Sequence, residues 1–449
     1  MVMNFKFGNF HRVQDEIVIL NELDIGKEII IKNVRLFSPV DGLDQVADLL
    51  INADGVIEKI GKNIDGMMSA VIDGHDLLLT PAFVDMHCHL REPGLTDKES
   101  IESGLKAAAA GGYRAVCSMP NTDPTIDSPE TLKYIIDKSA ENAVRLLPIA
   151  AVTQNRAGQV LNDFAALSAA GAVAFSDDGC SISDPLSESA FRNAGNGGYL
   201  IMEHCEDPSL ALGGQINEGM VATRLGLKGI PAAAEENILR RDLNLCSKYG
   251  TRLHICHLST AGSVDLIREA KKSGLKVTAE VTPHHLTLDE TECLGYNTNA
   301  KVNPPLRSRA DIEALIEGLN DKTIDVIATD HAPHTINEKD CEFIFAPFGI
   351  SGLETAWAAV NSLITGNKIG LETAINALSI QPSEILGLSA GIKVGQKANL
   401  VLLNLREKWP VEVKDFKSRG HNTPLAGRKV QGRVKMTIAN GKVVYKEIQ

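Results

Sequence analysis

Between residues 81 and 387 short apolar runs alternate with longer helix-forming stretches, a βα alternation that predicts a parallel sheet. Eight runs stand out: PAFVDMH, YRAVCSM, VRLLPIAAV, GAVAFS, GYLIMEH, TRLHICH, LKVTAEV and IDVIAT. After the first comes ESIESGLKAAAAGG, which reads as a helix that Gly111 or Gly112 would end. Eight strands over about 300 residues fit a (β/α)8 barrel. The competing arrangement is an open doubly wound sheet, and the absence of its GxGxxG turn weakens it. The flanks have a different texture. KEIIIKNVRLFS and ADLLINADGVIEKIG before the barrel, and NLVLLNL and KMTIANGKVVYK after it, are β-like runs broken by turn residues. Asn440-Gly441 between two alternating segments predicts a hairpin. The expected fold class is therefore α/β, a TIM-like (β/α)8 barrel over 81–387. A small β-sandwich domain would be built from both chain ends, 26–80 plus 388–449. Residues 1–25 carry no clear period and read as an N-terminal extension of uncertain order.

Composition narrows the function classes. At 449 residues, 44% hydrophobic and 23% charged, the chain is an ordinary globular sequence, long enough for a barrel with an accessory domain. Its net charge of −12 argues against nucleic acid or an anionic membrane surface as partner. An anionic substrate would then need a local cationic site. No apolar run approaches the roughly 18–20 residues of a membrane span. MVMNFKFGNFHRVQDEIVIL lacks the marks of a secretory signal. The eight cysteines form no CxxC pair, which fits reduced thiols in a cytoplasm.

The chemistry gathers where each run stops. The first ends Asp85-Met86-His87-Cys88-His89-Leu90-Arg91, and strand alternation puts His87, His89 and Arg91 on one face. Two core histidines would be the plainer reading, but flanking Asp and Arg at a strand end disfavour it. The fourth run ends at Asp177-Asp178-Gly179, the fifth at His204 and the sixth at His257; the eighth runs into Asp330-His331-Ala332-Pro333-His334. In a barrel these ends share one rim, where barrel enzymes keep their active sites. Imidazoles and carboxylates converging there suit zinc. Cys88 and Cys256 alternate away from the histidines beside them. His254 faces opposite to His257, and His284 and His285, after the seventh run, are candidates to stand behind the ligands.

The strings FVDMHCHLREPG, SMPNTDP, FSDDG, EHCED, ICHLSTAGS, EVTPHHL, KVNPPLR, IATDHAPHT and APFGISGLET resemble the bacterial class I dihydroorotases of the amidohydrolase superfamily. The likeness runs from about residue 28 to the end. It implies two zinc ions per subunit, one on His87, His89 and Asp330 and the other on His204 and His257. Many relatives bridge the metals with a carboxylated lysine on the fourth strand. No lysine lies between Lys138 and Lys228 here, so the resemblance points to Asp178, rather than Asp177, as the bridge. It further implies a substrate pocket of His89, Arg91, Asn121 and His334 for a carboxylate, with Asn303 and the backbone of Phe348 and Gly349 for ring amides.

The activity so implied is the reversible cyclisation of N-carbamoyl-L-aspartate to L-dihydroorotate and water, in de novo pyrimidine (UMP) biosynthesis. Zinc would polarise the carbonyl and lower the pKa of a water, and Asp330 would move the proton between that water and the ring nitrogen. The segment from His334 to Gly349 would close over the site as a lid. A cytoplasmic homo-oligomer is expected, with an aspartate transcarbamoylase as a possible partner. Two other readings stand beside this one: a hydantoinase or allantoinase with the same metals, and a non-catalytic scaffold for a transcarbamoylase. Arg91 with Asn121 argues against the first, and the full set of ligand types against the second.

Overall fold

A computed structural model describes residues 28–65 and 70–447, so the extension expected over residues 1–25 lies outside the described residues. Each of the eight apolar runs contains a strand of one sheet. They are β1 (Phe83–Cys88), β2 (Tyr113–Ser118), β3 (Arg145–Ala150), β4 (Ala174–Phe175), β5 (Leu200–Glu203), β6 (Arg252–Ile255), β7 (Val277–Val281) and β8 (Val326–Ile327). Neighbours in sequence are neighbours in the sheet, and every pairing is parallel. The ends of the sheet meet where Cys88 bridges to His331 and the His89 N–H donates to the His331 carbonyl at 2.8 Å. This closes the barrel.

A second seam lies beneath that closure. The buried Asp85 carboxylate accepts from the Thr329 N–H at 2.9 Å and from its hydroxyl at 2.5 Å. Burial pushes Asp85 up to about 7, and the two Thr329 bonds work against that rise. Val84, Ala115, Ile149, Met202 and Val326 join in one apolar cluster although their strands are not all adjacent, so they meet inside the barrel. Phe83, Val116, Ile201 and Ile255 instead pack with the surrounding helices. The first of these helices, Ile101–Ala110, starts at a Ser100/Ser103 capping box and ends at Gly111. Gly112 follows with φ 93°, and a Cβ there would meet Phe83 and Val401 at 3.0 Å. Only glycine lets β2 begin so close to both.

The two chain ends form a separate sheet of eight strands. Ile29–Ser38, Leu43–Ile51, Ile57–Gly61, Ala70–Asp73 and Leu78–Pro81 come from the front, and Leu400–Pro410, Lys429–Ala439 and Lys442–Lys446 from the back. The halves are joined by antiparallel pairing of Leu78–Pro81 with Leu400–Pro410. Alternation divides these two strands between cores. Leu79, Leu400 and Leu402 enter the small domain's cluster, while Leu78, Val401 and Leu403 enter the barrel's. Asn440 and Gly441, at φ 48° and 78°, make the tight hairpin read from the sequence.

Thr329→Val keeps the side-chain shape but leaves the buried Asp85 short of a donor. A stability loss of about 1–3 kcal/mol is expected in chemical denaturation of the metal-free protein. An unchanged midpoint would show that the Asp85–Thr329 seam contributes nothing to barrel closure.

Candidate metal centre and active site

Four histidines and two aspartates meet at the C-terminal rim. His87 and His89 leave β1, Asp178 follows β4, His204 and His257 follow β5 and β6, and Asp330 follows β8; all six are buried. Asp178 occupies the middle. Its Oδ1 lies 3.3 Å from His87 Nε2 and 3.8 Å from both His204 Nδ1 and His257 Nε2, and its Oδ2 is 3.6 Å from His89 Nε2. Asp330 Oδ1 is 3.0 Å from His89 Nε2 and 3.5 Å from His87 Nε2. Asp177 turns elsewhere, accepting from the Thr153 N–H at 3.0 Å and its hydroxyl at 2.5 Å.

The protons in this cluster can be assigned from what lies behind each ring. His87 Nδ1 is 2.7 Å from Glu280 Oε1, so it carries the hydrogen and donates. His89 Nδ1 donates to Asn121 Oδ1 at 2.8 Å, and the Asn121 amide nitrogen faces Asp178 at 3.4 Å, which fixes its orientation. Both Nε2 atoms are aimed at carboxylate oxygens, and against burial Asp178 and Glu280 hold His87 well above the ordinary imidazole value. His204 Nδ1 and His257 Nε2 face each other at 3.0 Å, where one proton at most can sit. His87 Nε2, Asp178 Oδ1, His204 Nε2 and His257 Nδ1 are buried without hydrogen-bond partners. Buried polar atoms without partners are costly, and a bound cation would give these four a partner. The set fits a metal. Two subsets have their ligand atoms within 4.8 Å of one another: His87, His89 and Asp330, and His87, Asp178 and His257.

Electrostatics agrees. Burial opposes ionisation of Asp178, yet His87, His257 and His89 hold its pKa well below the ordinary carboxylate value. Asp330 is likewise held low against burial by the His89 bond and the surrounding histidines. Three residues of the rim, Arg91, His257 and Asp330, have left-handed backbones with φ of 60°, 32° and 44°. Such strain costs on the order of 1 kcal/mol or more each and collects where geometry serves a site.

Glu280, at the end of β7, escaped the sequence reading. Its Oε1 accepts from His87 Nδ1 and, at 3.3 Å, from the His257 N–H, and its Oε2 contacts His254 Nε2 at 3.0 Å. Burial would raise Glu280, but His87 and His254 bring it down to about 2. Its position on an apolar strand run was the available signal. His254 thus serves from behind. Cys256 stands near His87 and Glu280, where burial pushes its thiol far up, which disfavours a thiolate ligand. His284 and His285 do not back the ligands. His285 bonds Thr282 and the Pro304 carbonyl, and His284 has no hydrogen bond to the cluster.

A cavity of about 220 Å³ opens over the cluster, lined by His89, Arg91, Asn121, Asp178, His204, His257, Asn303, Asp330, His334, Phe348 and Gly349. Every residue expected to touch substrate is on that wall. The buried Arg91 guanidinium makes no ion pair among the described residues. Its Nε donates to the Pro333 carbonyl at 3.2 Å, and a terminal nitrogen lies 3.5 Å from His334 Nε2. The carboxylates nearest in sequence are engaged elsewhere, Asp85 by Thr329 and Glu92 by Tyr134, Lys138 and the Ile101 N–H. His334 donates from Nε2 to the Phe348 carbonyl at 2.8 Å; burial, then Arg91, push it down to about 3, so it is neutral. Gly349 donates its N–H to the Lys301 carbonyl. The two backbone groups expected to meet ring amides therefore have internal partners, whereas Asn303 Oδ1 is buried without one. The segment proposed as a lid is tethered from within. Lys339 Nζ donates to the Thr298, Lys301 and Pro347 carbonyls, and Lys301 Nζ to Gln215 and the Phe343 carbonyl.

Residues 76–263 match a family model described as dihydro-orotase-like. A dihydroorotase of Caldanaerobacter subterraneus subsp. tengcongensis is 47% identical over 425 residues, covering 93% of this chain and 97% of that relative. A dihydroorotase of Thermoanaerobacter sp. (strain X514) is 47% identical over 422 residues, covering 93% and 97%. Among solved structures, the L-hydantoinase (dihydropyrimidinase) of Arthrobacter aurescens superposes with a TM-score of 0.83 at 25% identity, covering 95% of this chain and 97% of that one. With identity at this level across nearly the whole of both chains, and with a cluster of ligands to match, the protein belongs to the dihydroorotase family of cyclic amide hydrolases.

Proposed function

We propose that the protein interconverts N-carbamoyl-L-aspartate and L-dihydroorotate, as a step of pyrimidine biosynthesis. One observation carries the choice of substrate: a buried, unpaired Arg91 faces the same cavity as the ligand cluster. A guanidinium taken from water without a carboxylate is costly, and a substrate carboxylate would offset that cost with a bidentate contact. An uncharged hydantoin ring would not. Allantoinase and hydantoinase chemistry share the metals, and the structural likeness to a hydantoinase keeps that reading second.

Two zinc ions are proposed, one on His87, His89 and Asp330, the other on His204 and His257, with Asp178 shared. When bound, such ions would polarise the substrate carbonyl and lower the pKa of water. The rest falls to the chain's own groups. Arg91 and Asn121 orient the substrate carboxylate, with the neutral His334 beside it. Asn303 offers a free acceptor to a ring N–H. In ring opening Asp330 takes the proton from the attacking water and hands it to the departing ring nitrogen as the C–N bond breaks; in closure the order reverses. Glu280 positions ligands of both ions, since it holds the His87 ring and the His257 backbone at once. The family likeness and the eight free cysteines support a cytoplasmic enzyme. The likeness also underlies the proposals of a homo-oligomer and a transcarbamoylase partner.

Turnover of dihydroorotate, hydantoin and allantoin by metal-replete protein tests the reading. Dihydroorotate should be preferred, and Asp330→Asn should lose roughly 100- to 10,000-fold in rate with metal retained. An equally active variant would overturn the proton-transfer role. Arg91→Gln should cost about 2–5 kcal/mol of carboxylate binding, seen as a roughly 30-fold or greater rise in KM for dihydroorotate. A matching loss on hydantoin would make Arg91 structural. Glu280→Gln should weaken metal binding by about 10- to 100-fold in chelator competition; wild-type affinity would remove it from the site.

A further inference from the structure

The barrel's other end has its own charge pattern. Arg114 is the second residue of β2, Arg145 the first of β3, Arg252 the first of β6, and Lys276 precedes β7. Strands start at the rim opposite the metal cluster, so four cations stand at that mouth. None forms an ion pair among the described residues, in a chain of net charge −12. A cavity of about 690 Å³ lies there, between the starts of β2 and β3 and the small domain's last hairpin. Arg114, Arg145, Lys397 and Asn399 line it, Ile136 and Leu388 supply part of an apolar wall, and no carboxylate side chain lines it.

Two features separate this pocket from a merely solvated basic surface. Arg114 is buried at 8% exposure, and one nitrogen is fixed by the Ser383 hydroxyl at 2.8 Å and the Ser389 carbonyl at 2.7 Å. It cannot swing out into water. Arg145, on the neighbouring strand, lines the same cavity. Like charges on adjacent strands repel, and neither has an ion-pair partner among the described residues. Burial, and secondarily Arg145, bring Arg114 down to about 10, in keeping with an uncompensated pair.

We propose that this pocket binds a phosphoryl group, free or carried on a phosphate monoester, between Arg114 and Arg145 with Lys397 and Asn399 at its rim. A tetrahedral dianion can engage two guanidinium forks at once, whereas a single carboxylate satisfies one. The volume exceeds what a bare phosphate fills, and the Ile136 and Leu388 side suits the body of an ester. The competing role for these cations is to balance the negative C-terminal ends of helices that end at this mouth.

The test is calorimetric titration of the holoenzyme in chloride buffer with inorganic phosphate and, separately, phenyl phosphate. Saturable binding of one anion per chain is expected, weakened at least tenfold in Arg145→Gln and in Arg114→Gln. It should be unchanged in Arg91→Gln, which alters only the catalytic cavity. Arg145 is exposed, so Arg145→Gln should keep the fold and dihydroorotate turnover even if Arg114→Gln does not. Tighter phenyl phosphate would identify a monoester site, and equal affinity a phosphate site. Absence of saturable binding to either probe would overturn the proposal. So would binding that Arg91→Gln abolishes and Arg145→Gln spares, or an Arg145→Gln variant that loses thermal stability while the wild type binds neither anion.

Discussion

The structure depends on a buried cluster of imidazoles and carboxylates that barrel closure draws together. Barrel closure brings His87, His89, His204 and His257 around one carboxylate, Asp178, with Asp330 against the first two, at separations of 3.0 to 3.8 Å. Two of those rings have their hydrogens drawn to the far side by Glu280 and Asn121. What remains in the centre is imidazole nitrogens facing carboxylate oxygens at the floor of the cavity. Four of its buried atoms lack partners and suit a divalent cation, whose binding would be coupled to the order of this rim.

The surroundings hold that cluster in place. Asp85 and Thr329 tie the first strand to the last, directly below the ligands those strands carry. His331, next to Asp330, bridges to Cys88 and is held at its ring by Glu99 and the Gly352 N–H. Glu280 couples the two sides of the cluster because one carboxylate reaches both a ligand ring and the backbone of another ligand. The left-handed backbones of Arg91, His257 and Asp330 are tolerable because these bonds overdetermine them.

Much of this was legible in the chain. Short apolar runs between helix-forming stretches marked the strands, and the residues that end them are the cluster, because a parallel barrel converts strand ends into one rim. Alternation separated Cys88 from its neighbours, and the missing lysine between Lys138 and Lys228 directed attention to Asp178. The choice over Asp177 was not available from alternation alone; it follows from Thr153, a partner 24 residues away. Glu280 and Asp85 were invisible as supports for the same reason. Each is a single acid within an apolar run, and its role exists only through a bond to a distant strand. His284 and His285 misled in the opposite direction. Histidines near a metal motif invite a supporting role, but His285 is engaged by Thr282 and the Pro304 carbonyl, and His284 Nε2 has no hydrogen-bond partner among the described residues.

Charge placement ties these threads to function. The acidic excess of the chain means that any cation without a carboxylate has been kept apart from a plentiful partner. Arg91 is such a cation on the catalytic rim, buried and bonded only to a backbone carbonyl and approached by a neutral His334. His334 cannot repel it by charge, and the carboxylates of Asp178 and Asp330 are turned toward the histidines. The guanidinium's remaining donors therefore have no partner among the described residues, on the wall of the cavity. A substrate that presents a carboxylate there, with its amide carbonyl over the ligand cluster, satisfies both ends of the cavity at once. A neutral cyclic amide satisfies only one, which is why the same barrel and the same ligands can serve different rings, with the choice resting on a residue two positions beyond the second histidine.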